Sequence, residues 1–367
     1  MITPPTDATP NAQQVFELDD AFFETDPLGY FTARIESLIA YTQGARPAYD
    51  SGNGESYAAL LHRHPAEVPT ASNEARELQV AIDAMSLRQH AAEGVIRLWA
   101  TVLATREAEP GTVSVWETLT NGKTSVVDVL KQIAATSPQT GDEYLALLLP
   151  AQLIAGYPTS PDLQAAVEVL GEWMIHAERL LTRTDLHLAA ANNKVKHGLA
   201  VRARVDSPME LQPTEPRGNE EAGTMPMSEL RTIPVFTAPS VEYLARPPQD
   251  ESGKHGLELT QLELNVPVLL AEANMLATAY AAIFHVAGAR YATVRPELRV
   301  TRYPTLPVAP TPEQLLGKRT VGMRWPVTHR PDGSVNGRGA GIGFADGSFV
   351  GWQVDFDSVR NFTVTNG

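Results

Sequence analysis

Residues 160–198 run SPDLQAAVEVLGEWMIHAERLLTRTDLHLAAANNKVKHG, a helical pattern that sets the class of the whole chain. Ser160 and Pro161 supply an N-cap and a proline at the first helical position, and Leu163, Val167, Leu170, Met174 and Leu181 recur at helical spacing over residues 162–181. Thr184 or Asp185 then caps a second, shorter helix that reaches His197, with Gly198 placed to end it. Two antiparallel helices with a tight join are expected. The polar run Asn192-Asn193-Lys194-Val195-Lys196-His197 closes the second of them.

Outward from this hairpin, the N-terminal side reads as helix. Leu28, Phe31, Ile35, Leu38 and Ile39 pattern a helix from Pro27 to about Gly44. Ser72 caps a long helix that lasts to about Arg106, with Gly94 as the place for any bend. Weaker helical patterns cover residues 124–135 and 142–149, and residues 1–26 read as a flexible acidic tail. On the C-terminal side, residues 206–228 form a Pro/Glu/Gly-rich linker or mobile loop. Strands are expected over 233–236, 241–244, 257–264, 297–303, 321–329, 341–344 and 348–356, with Asp332-Gly333 and Asp346-Gly347 as hairpin turns. The longest apolar run, residues 266–288, carries Glu272, Asn274 and His285, so it reads as a buried helix and not a membrane span. The expected fold class is α+β: an antiparallel helical bundle over 27–205, then a mixed module over 229–367 with helix 267–288 and a small antiparallel sheet.

The chain has no cysteine, which excludes thiol chemistry, disulfides and thiolate metal sites and fits a reducing cytoplasm. Its start, residues 1–11, has neither basic residues nor an apolar segment, so no signal peptide is expected there. The net charge of −14 is unevenly spread. Residues 1–178 hold 24 acidic and 9 basic side chains, whereas 179–204 hold Arg179, Arg183, Lys194, Lys196, Arg202 and Arg204 against Asp185 alone. A second basic segment spans 290–330. So acidic a chain does not bind nucleic acid indiscriminately, but either basic segment can hold a phosphate or neutralise acidic surface of the same protein. No zinc-protease helix, di-iron motif, phosphate loop or nucleophile elbow is present, and no metal or cofactor is expected. Glycines 337, 339, 341 and 343 alternate with no helix after them, so they read as sheet glycines. His90, Glu93 and Arg97 share a helical face opposite the apolar stripe and read as a solvated face.

The candidate site is therefore the end of the hairpin. A histidine at a helix C-terminus lies near the negative end of the dipole, and an amide with two ammonium groups beside it suits a phosphate. The bland reading is a helix end whose Lys and His side chains complement exposed carbonyls. Asn193-x-x-x-His197-Gly198 at the end of an antiparallel helix pair resembles the motif of the HEPN superfamily, helical and often dimeric proteins that include metal-independent ribonucleases of bacterial defence and toxin–antitoxin systems. The resemblance assigns His197 to the family histidine and Asn193 to its polar residue. The family arginine falls on Asn192, a departure that leaves the phosphate charge to Lys194 and Lys196.

Two functions follow as expectations. In the first, RNA is cleaved: His197 takes the proton of a ribose hydroxyl, Asn193 orients it, Lys194 and Lys196 hold the phosphate, and Arg183, Asn192, Arg202 and Arg204 extend the phosphate-binding surface. In the second, the protein is a non-catalytic homo-oligomer, a dimer or an assembly component, that binds a protein partner through its C-terminal sheet. Neither involves a membrane.

Overall fold

The computed structural model describes residues 9–44, 71–120, 125–136, 140–196, 201–205, 209–211, 233–236, 239–246, 256–328 and 338–352. The helices are α1 (Ala12–Phe23), α2 (Pro27–Thr42), α3 (Asn73–Thr105), α4 (Val115–Thr120), α5 (Val126–Thr136), α6 (Gly141–Leu148), α7 (Ala151–Ile154), α8 (Pro161–Thr182), α9 (Leu188–Lys196), α10 (Val266–Tyr291) and α11 (Pro312–Leu316). The strands are β1 (Arg202–Arg204), β2 (Met209–Leu211), β3 (Ile233–Phe236), β4 (Ser240–Ala245), β5 (Glu258–Glu263), β6 (Thr320–Pro326), β7 (Ala340–Phe344) and β8 (Phe349–Trp352). The fold class is α+β.

The chain divides into two compact units, and neither is continuous in sequence. One comprises Met1–Ser37, Ser86–Thr182 and Leu270–Leu315, the other Leu38–Met85, Arg183–Leu269 and Leu316–Gly367. The expected linear division at residues 206–228 is not the division by contact. The reason lies in α10, whose apolar side chains run all the way round: such a helix is buried wherever it sits, and most of it belongs with helices far earlier in the chain.

The first unit is helical. Its core includes Phe22, Phe23 and Phe284, with ring centroids 5.1–5.4 Å apart, and the fully buried Leu98, Leu148, Leu170 and Trp173. Residues 12–23, expected in a tail, instead form a helix capped reciprocally by Asn11 and Gln14. Val15, Phe22 and Phe23 fix its inner face, and buried Asp19 accepts from Ser114 Oγ at 2.7 Å and from the Val115 and Trp116 amides that open α4. A carboxylate there meets the positive end of that short helix. Ser72 and Ser160 cap α3 and α8 as expected, each Oγ accepting an amide three residues on. Residues 297–303 form no strand. Thr301 O meets His285 Nδ1 at 2.5 Å and Tyr303 Oη donates to Leu148 O at 2.7 Å, so this segment spends its polar groups on helices.

The second unit holds, among its described residues, a six-stranded antiparallel sheet in the order β1-β4-β5-β6-β7-β8, beside a two-stranded pair of β2 and β3. Register places Tyr243, Thr260, Arg324 and Gly341 in one row across the sheet, and Val241, Leu262, Gly322 and Gly343 in the next. These rows share one face of the sheet, since side chains two apart on a strand point the same way. The expected turn at 332–333, most of the 206–228 linker and the distal part of strand 348–356 lie outside the described residues.

Candidate functional site

Residues 183–187 follow α8 and cross the sheet face just defined. Arg183 forms a two-pronged ion pair with Asp185, at 2.6 Å from Nε and 2.7 Å from the terminal nitrogen, and donates to Phe344 O at 2.5 Å. Arg324 donates to Asp185 O at 2.7 Å and Arg338 to Thr184 O at 2.6 Å, while Tyr243 Oη reaches both Leu186 O and His187 O. Four consecutive carbonyls are thereby bound by side chains of the sheet and of Arg338, just before β7. Leu186 enters the sheet at Gly322 and Gly343, where a Cβ would come within 3.3 and 2.7 Å of its Cδ1. Gly322 and Gly343 are thus a socket for one leucine.

His187 ends this loop with a left-handed backbone, φ 48°, a conformation more tolerable for His than for most residues. Its Nε2 is buried with no hydrogen-bond partner, 3.9 Å from Glu258 Oε1. Burial, and next the Arg338 guanidinium, hold its pKa below the ordinary value, against the pull of Glu258. Glu258 itself is buried and bound by Arg338. The two basic segments of the sequence therefore meet here, through Arg183 and Arg324, on the chain's own carbonyls and carboxylates.

On α9, Leu188, Ala191 and Asn192 form the buried side, a spacing of three and four residues that leaves Asn193 outside. Asn192 is 4% exposed and its Oδ1 has no partner. Asn193 and Lys196 are exposed, and Lys194 is half-buried. His197 and Gly198 lie outside the described residues. Of the arginines expected to extend a phosphate surface, Arg183 is bound to Asp185 and Arg202 to Glu242, while half-buried Arg204 is also engaged. Asn192, expected beside them, is turned inward. Asn193 and Lys196 thus stand exposed on the last turns of α9 with Lys194 half-buried between them, whereas Arg183 and Arg202 are paired with carboxylates.

A polar cluster in the helical unit carries no motif in the sequence. Glu272 of α10 meets His176 Nε2 of α8 at 2.7 Å and Arg88 of α3 at 3.2 Å, all three buried. Trp173 packs edge-on against His176 and donates from Nε1 to Pro310 O at 2.9 Å. The available signal was Glu272 itself, a charge inside the longest apolar run. Among the described residues, no group of three or more His, Asp or Glu is placed to hold a metal ion. No protein-family model, curated protein or solved structure matches this chain.

Proposed function

We propose that this chain is a non-catalytic interaction protein of a reducing cytoplasm that self-associates through its β module. The observation that carries the reading is the commitment of Arg183 and Arg202 to Asp185 and Glu242. A guanidinium already paired with a carboxylate has part of the charge a phosphate would need neutralised within the chain, and freeing it leaves Asp185 or the buried Glu242 unpaired. The sheet supplies the associating surface: Val350 on the outermost described strand, β8, is 58% exposed, and Leu244 on β4 is 50% exposed. An apolar side chain on a terminal strand favours edge pairing with another chain.

A second reading, a HEPN-like RNA-directed protein, draws support from Asn193 and Lys196 standing exposed beside Lys194 at the end of α9. One pair of measurements separates the two. Under the interaction reading, sedimentation velocity gives an oligomer that Val350→Lys dissociates, weakening association by about tenfold or more, a loss of about 1.4 kcal/mol. Labelled RNA stays intact. RNA cleavage that persists in chelator and vanishes in His197→Ala would replace this reading with the second.

A further inference from the structure

The helical unit contains a cleft of about 620 Å³, bordered by the first turns of α2, the middle of α3 and α10, within the range of small-molecule pockets, roughly 300–1,000 Å³. His90, Glu93 and Arg97, the polar face of α3, open into it and not onto plain surface. Its rings are aromatic. Tyr30 and Phe31 meet edge to face at 5.4 Å, with His90 edge-on to both, and Tyr280 of α10 lies beside Gly94.

Three polar features converge on this space. Glu93 accepts from Arg97 Nε at 2.8 Å with one oxygen, and Asp26 accepts the Gly29 amide at 2.9 Å with one oxygen. The second oxygen of each has no partner among the described residues. The Tyr280 hydroxyl likewise has none, and burial pushes its pKa up to about 12, so it stays protonated. Among the residues that line the cleft, two carboxylates, Asp26 and Glu93, stand against one guanidinium, Arg97, which makes an anion a poor occupant. Tyr30 already attracts a cation: the Arg34 guanidinium stands 5.8 Å from its ring centroid and donates to its hydroxyl at 3.1 Å.

Gly94 adds an independent argument. Glycine inside a 33-residue helix weakens it relative to alanine. Packing does not demand the glycine, because a Cβ there meets only the Tyr280 ring, at an ordinary 3.5 Å. What the missing methyl provides is room beside that ring.

We propose that this cleft binds a small organic cation of the ammonium class, with its charge over the aromatic rings and against Glu93 and Asp26, and its body beside Gly94. This goes beyond the interaction role and stands or falls separately from it. The test is titration calorimetry of the full chain with choline and with 3,3-dimethylbutan-1-ol, which has the same shape and a carbon in place of the charged nitrogen. Choline is expected to bind at least about tenfold more tightly than the alcohol. Glu93→Gln, a change to a partly exposed ion pair, weakens choline about tenfold, and Gly94→Leu abolishes binding. Equal binding of the two compounds, no heat from choline, or choline affinity unchanged in Glu93→Gln overturns the proposal. Should Gly94→Leu fail to fold, the Glu93→Gln comparison decides alone.

Discussion

Glu272 illustrates how much one side chain commits the fold to. Burial by itself raises a carboxyl pKa, but Arg88 and the His176 hydrogen bond overcome that and hold Glu272 below the ordinary range. Replacing it with alanine leaves Arg88 buried without its counter-charge, and the expected cost is about 3–5 kcal/mol, read from urea unfolding at pH 7. The sign of the pH dependence follows from the depressed pKa. The contribution is fully present above the unfolded value of about 4.3 and is lost as pH falls through the folded one. The gap between wild type and Glu272→Ala therefore narrows below about pH 4. A gap that stays constant down to acid unfolding would mean that Glu272 is not ionised in the fold. The sequence signals only Glu272, a charge within an apolar run, and not its partners, which stand 96 and 184 residues away. The Asn192–His197 run stood out for the opposite reason, being dense in polar residues over a few positions. Local density says nothing about which side faces in, and burial of Leu188, Ala191 and Asn192 decided that.

At the scale of elements, the loop between α8 and α9 owes its path to glycines in strands that pair with distant residues. Alternating glycines at 341 and 343 were legible as belonging to a sheet, since no helix follows them. The purpose of Gly343 was not, because Leu186 reaches it only through the fold. Leu186 is fully buried, so Leu186→Ala should cost about 2–5 kcal/mol, most of it from a cavity walled by backbone that cannot close in. The same loop is expected to be acid-sensitive. His187 has a lowered folded pKa, so its unfolded form takes the proton first, and the stability it contributes is present above about pH 6.5 and lost as pH falls through the folded value. His187→Asn retains a side chain that tolerates the left-handed backbone and removes the titration. Denaturant midpoints measured from pH 7.5 to pH 5 should fall for wild type relative to the Asn variant, and parallel curves would disprove the role. Helix ends were legible here because serine caps act within three residues, as at Ser72 and Ser160. The strand expected over 297–303 was not, since its alternation could not reveal that Thr301 and Tyr303 bond to helices.

For the whole molecule, the fold class was readable while the partition was not. Periodicity reports what each segment is, and the apolar run ending near Gly288 became a 26-residue helix, 67% buried along its most apolar window. It does not report which segments share a core. Each compact unit here takes three separate pieces of chain, with crossings after residues 37, 85, 182, 269 and 315. A cut at residue 205, where composition shifts, therefore removes from the helical unit the whole of Leu270–Leu315. Phe22 and Phe23 lose Phe284, Trp173 loses Pro310 O, and Arg88 and His176 lose Glu272. Several of these losses are each worth a few kcal/mol, against a total stability of about 5–15 kcal/mol for a domain. The fragment 1–205 is accordingly expected to lack a cooperative thermal transition by circular dichroism and to be cut rapidly by protease. Adding the fragment 206–367 should restore both properties, because it returns α10 to its partners. Cooperative unfolding of 1–205 alone would show that its helices hold together without α10, and the discontinuous unit would then be the wrong description of the fold.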